Sequence, residues 1–281
     1  PLYSSAASDV YKRQPQTSRR RPNNRTGHVF TQIKTGHQNS KKPYHPTNGK
    51  SFIMNPKKHT QKETGLVTGL LCRHIFLDEQ GQEYSVKRPI DGKAFLGRHG
   101  IEGQQEKEYY DDCENALLHY AYDHYEYWRQ MLPESEQLLH HPGAFSENIS
   151  ALGMTEHTIC IGDLFRIGQA EVQVSYGREA CHTMNERFGK PDMAREMHKH
   201  SRNGWFYRVL KEGHTQAGDT IVLLERPRPD WTLARIQDCL FGKSMERQTL
   251  QVLSRLPELA AAWKNIFAKR LETGKPEENA Y

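Results

Sequence analysis

An arginine, a cysteine and a histidine stand close together as Arg178, Cys181 and His182 in the stretch E-V-Q-V-S-Y-G-R-E-A-C-H-T-M-N, Glu171 to Asn185, of this 281-residue chain. A thiolate is both a nucleophile and a soft metal ligand, and cationic neighbours favour it over the neutral thiol. Val172 and Val174 alternate with Glu171, Gln173 and Ser175, the pattern of a strand with one buried face, and the run breaks at Gly177. Cys181 is therefore expected on a loop leaving a sheet edge, where a rigid scaffold can present it. A single cysteine is more often a buried apolar residue than a reactive one. The rest of the chain has to decide.

Other groups with chemical potential are weaker. The five cysteines, Cys72, Cys113, Cys160, Cys181 and Cys239, are odd in number and widely spaced, without a C-x-x-C pair, and read as reduced thiols. His140-His141 and the His198-x-His200 pair have no matching cysteine or carboxylate spacing for a metal, and are expected as solvated surface histidines. Gly97, Gly100 and Gly103 punctuate a loop that lacks the Gly-Lys-Ser/Thr of a phosphate-binding turn.

The net charge of +5 divides unevenly along the chain. Residues 1–62 hold thirteen Lys and Arg against Asp9, or +12, leaving 26 basic and 33 acidic residues, or −7, in the remainder. This arm, with Arg19-Arg20-Arg21 and Lys41-Lys42, has too few apolar positions for a core and reads as disordered. Its opening P-L-Y-S-S-A-A-S-D-V-Y-K-R-Q has the look of translated upstream sequence, with Met54 as the expected start. Nucleic-acid binding through the arm is the minority reading. No run of eighteen apolar residues occurs, so no membrane partner is expected and the cytoplasm is the default address.

The elements that must position the thiol follow in order. A strand is expected from Gly65 to Phe76, then a turn at Asp78 to Gly81 and a short strand at Lys93 to Leu96. Leu117, Ala121, Tyr125, Trp128 and Leu132 recur at three or four residues and predict one helix from Glu114 to Leu132, with Pro133 as its stop. Its aromatic residues read as a face packed on a sheet rather than a base-stacking platform. Short strands are expected at Thr158–Ile161, Leu164–Ile167, Ala170–Ser175, Trp205–Leu210 and Thr220–Leu224, with a short helix from Pro191-Asp192. Tight turns between short strands argue for a mostly antiparallel sheet or barrel. Beyond Pro227 and Pro229, three helices are expected at Trp231–Phe241, Met245–Leu256 and Pro257–Leu271, packed as a small bundle against the main domain.

The order F-S-E-N-I-S, G-M-T-E, I-G-D-L-F-R-I-G-Q-A-E-V-Q-V-S, R-E-A-C at Arg178 to Cys181, and G-W at Gly204-Trp205 closely resembles MOSC-domain proteins of the YiiM type. The resemblance runs from about Gly65 to Leu271. It implies a fold that is mainly β with α: a MOSC-type β-barrel over 63–226 with flanking helices, and a three-helix "3-alpha" domain over 227–281. It also implies the molybdenum cofactor, a molybdopterin dithiolene complex, with Cys181 supplying a thiolate to the metal. The implied reaction is reduction of N-hydroxylated compounds, such as hydroxylaminopurines or amidoximes, with electrons from an external flavin or iron-sulfur partner. Lys87 falls where the family has a basic residue suited to the cofactor phosphate, Asn148 matches the asparagine of a G-E-N-L segment, and Arg178 matches the arginine before the cysteine. Each also has a plainer reading: a solvated strand residue, a turn cap, and a loop arginine paired with a carboxylate.

Three departures stand out. Tyr110-Asp111-Asp112 occupies the place of a His-Gly-Gly segment, bringing bulk and negative charge where the family has two glycines, and Gln104 replaces an aspartate after Gly103. Ser146 stands where a glycine is usual. A MOSC-fold cofactor or sulfur carrier without reductase activity therefore remains as the alternative function.

Overall fold

The computed structural model describes residues 62–103 and 113–277, so the basic arm and Tyr110-Asp111-Asp112 lie outside the described residues. In chain order the elements are β1 (Lys62–Leu77), β2 (Glu83–Pro89), β3 (Lys93–Gly97), β4 (Gly100–Ile101), β5 (Leu117–Ala121), α1 (Asp123–Met131), β6 (Ile149–Leu152), β7 (Leu164–Ile167), β8 (Ala170–Gly177), α2 (His182–Phe188), α3 (Met193–Lys199), β9 (Trp205–Lys211), β10 (Gly213–Gln216), β11 (Thr220–Glu225), α4 (Leu233–Phe241), α5 (Arg247–Leu253) and α6 (Ala261–Thr273). Strands β11, β7, β8, β9, β5, β6 and β1 are bonded in that order, and β1 pairs back onto β11 to close a barrel. Every pairing in it is antiparallel except β5 with β6. The second half of β1 continues past the barrel and pairs with β2. A separate small sheet joins β10, β3 and β4. Mainly β with α, a barrel with flanking helices and a C-terminal helical unit, is thus the observed architecture.

Closure follows from alternation. Val172 and Val174 on β8 point into an interior shared with Leu117, Ile149, Phe165, Trp205 and Ile221. His119 also points inward, stacked on Trp205 at 4.1 Å between ring centroids, and burial pushes its pKa down to about 3, so it fills the barrel as a neutral ring. A second core lies between the wall and α1 to α3, where Tyr120, Tyr125, Trp128, Phe145, Met184 and Met197 meet. Each such aromatic contributes about 1.5–3 kcal/mol relative to an exposed position.

Several expectations need correction. The helix expected from Glu114 to Leu132 is two elements: β5 and then α1. All five residues of β5 are buried, Leu117 facing one core and Tyr120 the other. A strand covered on both faces has no alternation, and its apolar run merged with the helical spacing of Tyr125 and Trp128. Thr158 to Ile161 forms no strand beyond a single bridge from Cys160 to Thr232. Its backbone is used instead in a turn built on Asp163, which accepts from the Cys160 N–H at 2.9 Å and pairs with Arg226. His140 and His141 are exposed, but His198 is buried, stacked on Phe241 at 3.9 Å. Finally, β8 is an interior strand of the barrel, so the cysteine loop leaves its end rather than a sheet edge.

The C-terminal helices start later than expected. Thr232 caps α4 by accepting from the Arg235 N–H, and Glu246 caps α5 by accepting from the Gln248 and Thr249 N–H groups. Arg270 on α6 is almost fully buried and donates to the carbonyls of Cys239, Leu240 and Ser244, satisfying the open end of α4.

Candidate functional site

Three segments meet at one end of the barrel: the turn before β6, the β1–β2 ladder, and the loop after β8. The turn is organised by a buried carboxylate. Glu147 accepts from the Tyr125 hydroxyl at 2.5 Å and the Gly143 N–H at 2.7 Å on one oxygen, and from the Phe145 N–H at 3.1 Å on the other. The Tyr125 hydroxyl also accepts from the N–H groups of Gly143 and Ala144. Burial, and then the Glu147 charge, hold Tyr125 well above the usual phenol pKa, so it remains a donor. On the other side of the turn the carbonyls face cations: Arg187 donates to Gly143 and Ala144, and Arg178 Nη1 to Phe145 at 2.7 Å. Ser146, at the apex, has φ +59°, the left-handed conformation that glycine adopts most readily.

Asn148 ties the turn to the ladder. Its Oδ1 accepts from Lys87 Nζ at 2.7 Å and from the Leu118 N–H at 3.1 Å, while Nδ2 donates to the Leu71 carbonyl. Lys87 lies opposite Arg73 across β1 and β2. Burial, followed by the Arg73 charge, pushes the Lys87 pKa well down, with Arg178 adding to this and Glu147 opposing it. Among the described residues, the Arg73 guanidinium has no hydrogen bond or ion pair and Lys87 Nζ has the Asn148 bond alone.

The third segment holds Arg178 to Cys181. Arg178 is buried, its backbone N–H donates to the Gly204 carbonyl, and burial lowers its pKa against the attraction of Tyr120, Cys181 and Glu147. Cys181 is exposed and stands at the N-cap of α2, its Sγ 3.2 Å from Thr183 Oγ1. The four residues singled out in the sequence are thus drawn into one neighbourhood. Lys87 and Asn148 bond directly, and Arg178 acts on both Lys87 and Cys181 electrostatically. The turn-cap reading of Asn148 is too small, because its side chain joins three strands.

Such a cluster suits an anionic ligand that also offers a coordination position to a soft donor. Four basic side chains lie together, Arg73 beside Lys87, Lys87 near Arg178 and Arg178 near Arg187, and the one carboxylate among them, Glu147, has its oxygens already committed to neutral donors. A dithiolene cofactor with a phosphate fits these donors. No group of three or more His, Cys, Asp or Glu able to hold a metal ion by itself occurs among the described residues. Arg73, Glu147 and Arg187 escaped the sequence reading. Arg73 was within reach of it: a hairpin folded about Gln80 sets Arg73 opposite Lys87. Glu147 lies beside Asn148 in the quoted segment, whereas nothing local marks Arg187.

With this geometry in place, likeness to known proteins becomes informative. A family model described as the MOSC domain matches residues 91–222, and one described as the YiiM-like 3-alpha helix domain matches residues 231–274. Protein YiiM of Escherichia coli is 33% identical over 194 residues, covering 68% of this chain and 86% of YiiM. The chain belongs to the YiiM-type MOSC-domain family. A crystal structure of YiiM from Escherichia coli superposes with a TM-score of 0.61 at 29% identity, covering 74% of this chain and 96% of that one. A Gibberella moniliformis protein named Reductase is 34% identical over 189 residues, 66% of this chain but 33% of its own length. Family membership and this relative fit a MOSC-type oxidoreductase.

Proposed function

We propose that the chain is a molybdenum-cofactor-dependent oxidoreductase that removes the hydroxyl of N-hydroxylated compounds, with Cys181 as the thiolate ligand of the metal. The observation that carries this reading is the exposed Cys181 at the end of a loop whose Arg178 belongs to the four-cation cluster. Lys87 and Arg73 receive the cofactor phosphate, Lys87 as a point charge and Arg73 as a fork. Asn148 holds the Lys87 ammonium in place, and Arg178 holds the thiol loop against the Phe145 turn. When bound, the cofactor supplies two-electron reduction at a metal that accepts electrons singly from an external flavin or iron-sulfur partner.

A second reading, a cofactor or sulfur carrier of the same fold, is favoured by the sequence Tyr110-Asp111-Asp112 where the resemblance implies His-Gly-Gly. No helix among the described residues is long and apolar enough to cross a membrane.

The test is molybdenum and pterin content per chain after purification from a host that makes the cofactor, beside the Cys181→Ser variant, followed by turnover on N-hydroxylated purines. Stoichiometric metal and turnover in the parent, both lost in Cys181→Ser at unchanged Tm, are expected. Retained cofactor without turnover supports the carrier. Full turnover in the serine variant rules out thiolate ligation, since a hydroxyl is a poor donor to a soft site.

A further inference from the structure

The C-terminal helices do more than pack beside the barrel. They grip the strand end and loop that lead to Cys181. Gly177, the last residue of β8, has no room for a side chain: a Cβ there would lie 2.6 Å from Gln237 Nε2 on α4 and 2.6 Å from the Trp263 ring on α6. Two residues earlier, the Ser175 carbonyl accepts from the Ala260 N–H at 2.9 Å. Two residues later, Glu179 Oε1 accepts from Trp263 Nε1 at 2.6 Å. Trp263 is fully buried, with its ring edge on Tyr176 of β8 at 5.8 Å. A second route ends on the same loop. Phe241 of α4 lies flat on His198 of α3, and His198 makes a backbone hydrogen bond with Ala180.

We infer that the three-helix unit positions the thiol, and that Trp263 and Glu179 are positioning residues that fix where Cys181 points. The residues of the Arg178–Cys181 segment are held by different parts of the molecule: Arg178 by Gly204 and the Phe145 turn, Glu179 by α6, Ala180 by α3, and Cys181 by the start of α2. The Glu179 tether is the one bond of these supplied by the helical unit directly to a side chain of the loop. An indole N–H fixed in a packed core is a rigid donor, so it sets the loop position rather than following it. The inference rests on the reading of Cys181 as the functional thiol. Its consequence is that a family member needs its appended helices for thiol geometry, not only for stability.

The experiment is the rate of iodoacetamide alkylation at Cys181, followed by peptide mass spectrometry across pH on the full chain. Trp263→Phe removes the donor and keeps an aromatic ring. Glu179→Ala removes the acceptor, and Glu179→Gln removes the charge while keeping an acceptor oxygen. Phe267→Leu, at another fully buried position of α6, controls for general destabilisation. Trp263→Phe and Glu179→Ala are expected to raise the rate roughly threefold or more, with Glu179→Gln and Phe267→Leu within about twofold of the parent. Parent-like rates in the first two overturn the inference. So does an equal rise in Phe267→Leu, which would make the effect one of stability, or in Glu179→Gln, which would make it one of charge. Molybdenum content of the same variants reports separately on the cofactor: a protein without metal but with the alkylation pattern intact removes the cofactor reading and leaves the positioning role.

Discussion

Two short segments meet at the candidate site, and they are held in place in opposite ways. The turn from Gly143 to Asn148 carries its own organiser, since its N–H groups converge on Glu147 and Tyr125 while its carbonyls face Arg178 and Arg187. The Arg178–Cys181 loop has no such centre and takes its position from Gly204, α6 and α3. The first arrangement makes a rigid wall whose polar groups are satisfied before any ligand arrives. The second leaves the reactive atom exposed, with the stability of its surroundings located elsewhere. Chemistry is thereby separated from folding: the thiol can change without disturbing the core, whereas the carboxylate cannot.

The largest expected effect follows from that contrast. Glu147→Gln places an amide NH2 among three donors, so at least one buried N–H loses its acceptor, and a loss of about 3 kcal/mol or more is expected. Denaturant unfolding measures it, and the same measurement on Cys181→Ser should give a change within about 0.5 kcal/mol, as for an exposed position. Equal losses would erase the distinction between the two segments.

Next comes the support beneath the thiol loop. The Gly204 carbonyl that receives the Arg178 N–H belongs to a residue whose own N–H donates to Glu156 Oε1 at 2.7 Å, and Glu156 pairs with His124 at 2.7 Å. Burial pushes the Glu156 carboxyl upward, but the His124 charge and hydrogen bond, with the Gly204 N–H, leave its pKa below the ordinary value. A depressed carboxyl stabilises the fold above its unfolded pKa, about 4.3, and that contribution is lost as pH falls through the folded pKa. Glu156→Gln should therefore cost about 2–3 kcal/mol at neutral pH, with the gap to the parent narrowing below about pH 4. A pH-independent gap in urea titrations would assign the loss to packing instead.

Smaller again is the effect on anion affinity. Burial and Arg73 lower the Lys87 pKa, so the ammonium that attracts a phosphate is lost at a lower pH than for an ordinary lysine. Affinity for inorganic pyrophosphate should fall with rising pH in the parent, and Lys87→Met should weaken it roughly tenfold at low pH, about 1.4 kcal/mol, and flatten the profile. Identical calorimetric profiles in the two proteins would remove Lys87 from the anion site.

Legibility in the sequence divides along the same physical lines. Strands β7, β8, β9 and β11 were readable because each has one buried face, or a short apolar run between clear turns. The two-sided burial of β5 erased its period, and α2 went unseen because seven residues starting at a cysteine leave too little pattern. Lys87, Asn148, Arg178 and Cys181 were reached through an ordered set of motifs. The groups that hold them, Glu147 apart, come from distant parts of the chain: Arg187 reaches Ala144, and Trp263 reaches Glu179 across 84 residues. Contacts of that span leave no local spacing to read.

The smallest prediction concerns Ser146, where sequence and geometry disagree. Its φ of +59° places an L side chain in the left-handed region, and the side chain has no hydrogen bond among the described residues to offset the strain. Only its N–H is engaged, with the Gly143 carbonyl at 3.0 Å. Ser146→Gly removes the Cβ clash at the cost of a more flexible unfolded chain, leaving a net gain of about 0.5–1 kcal/mol, or about 2 °C in Tm. If Glu147 truly dictates this turn, the gain should vanish in the Glu147→Gln background, because a turn released from its carboxylate no longer holds residue 146 at positive φ. Additive effects in the double variant would mean that the strain belongs to Ser146 and its chain neighbours alone, and that the wall at this end of the barrel is set by backbone geometry before the carboxylate engages it.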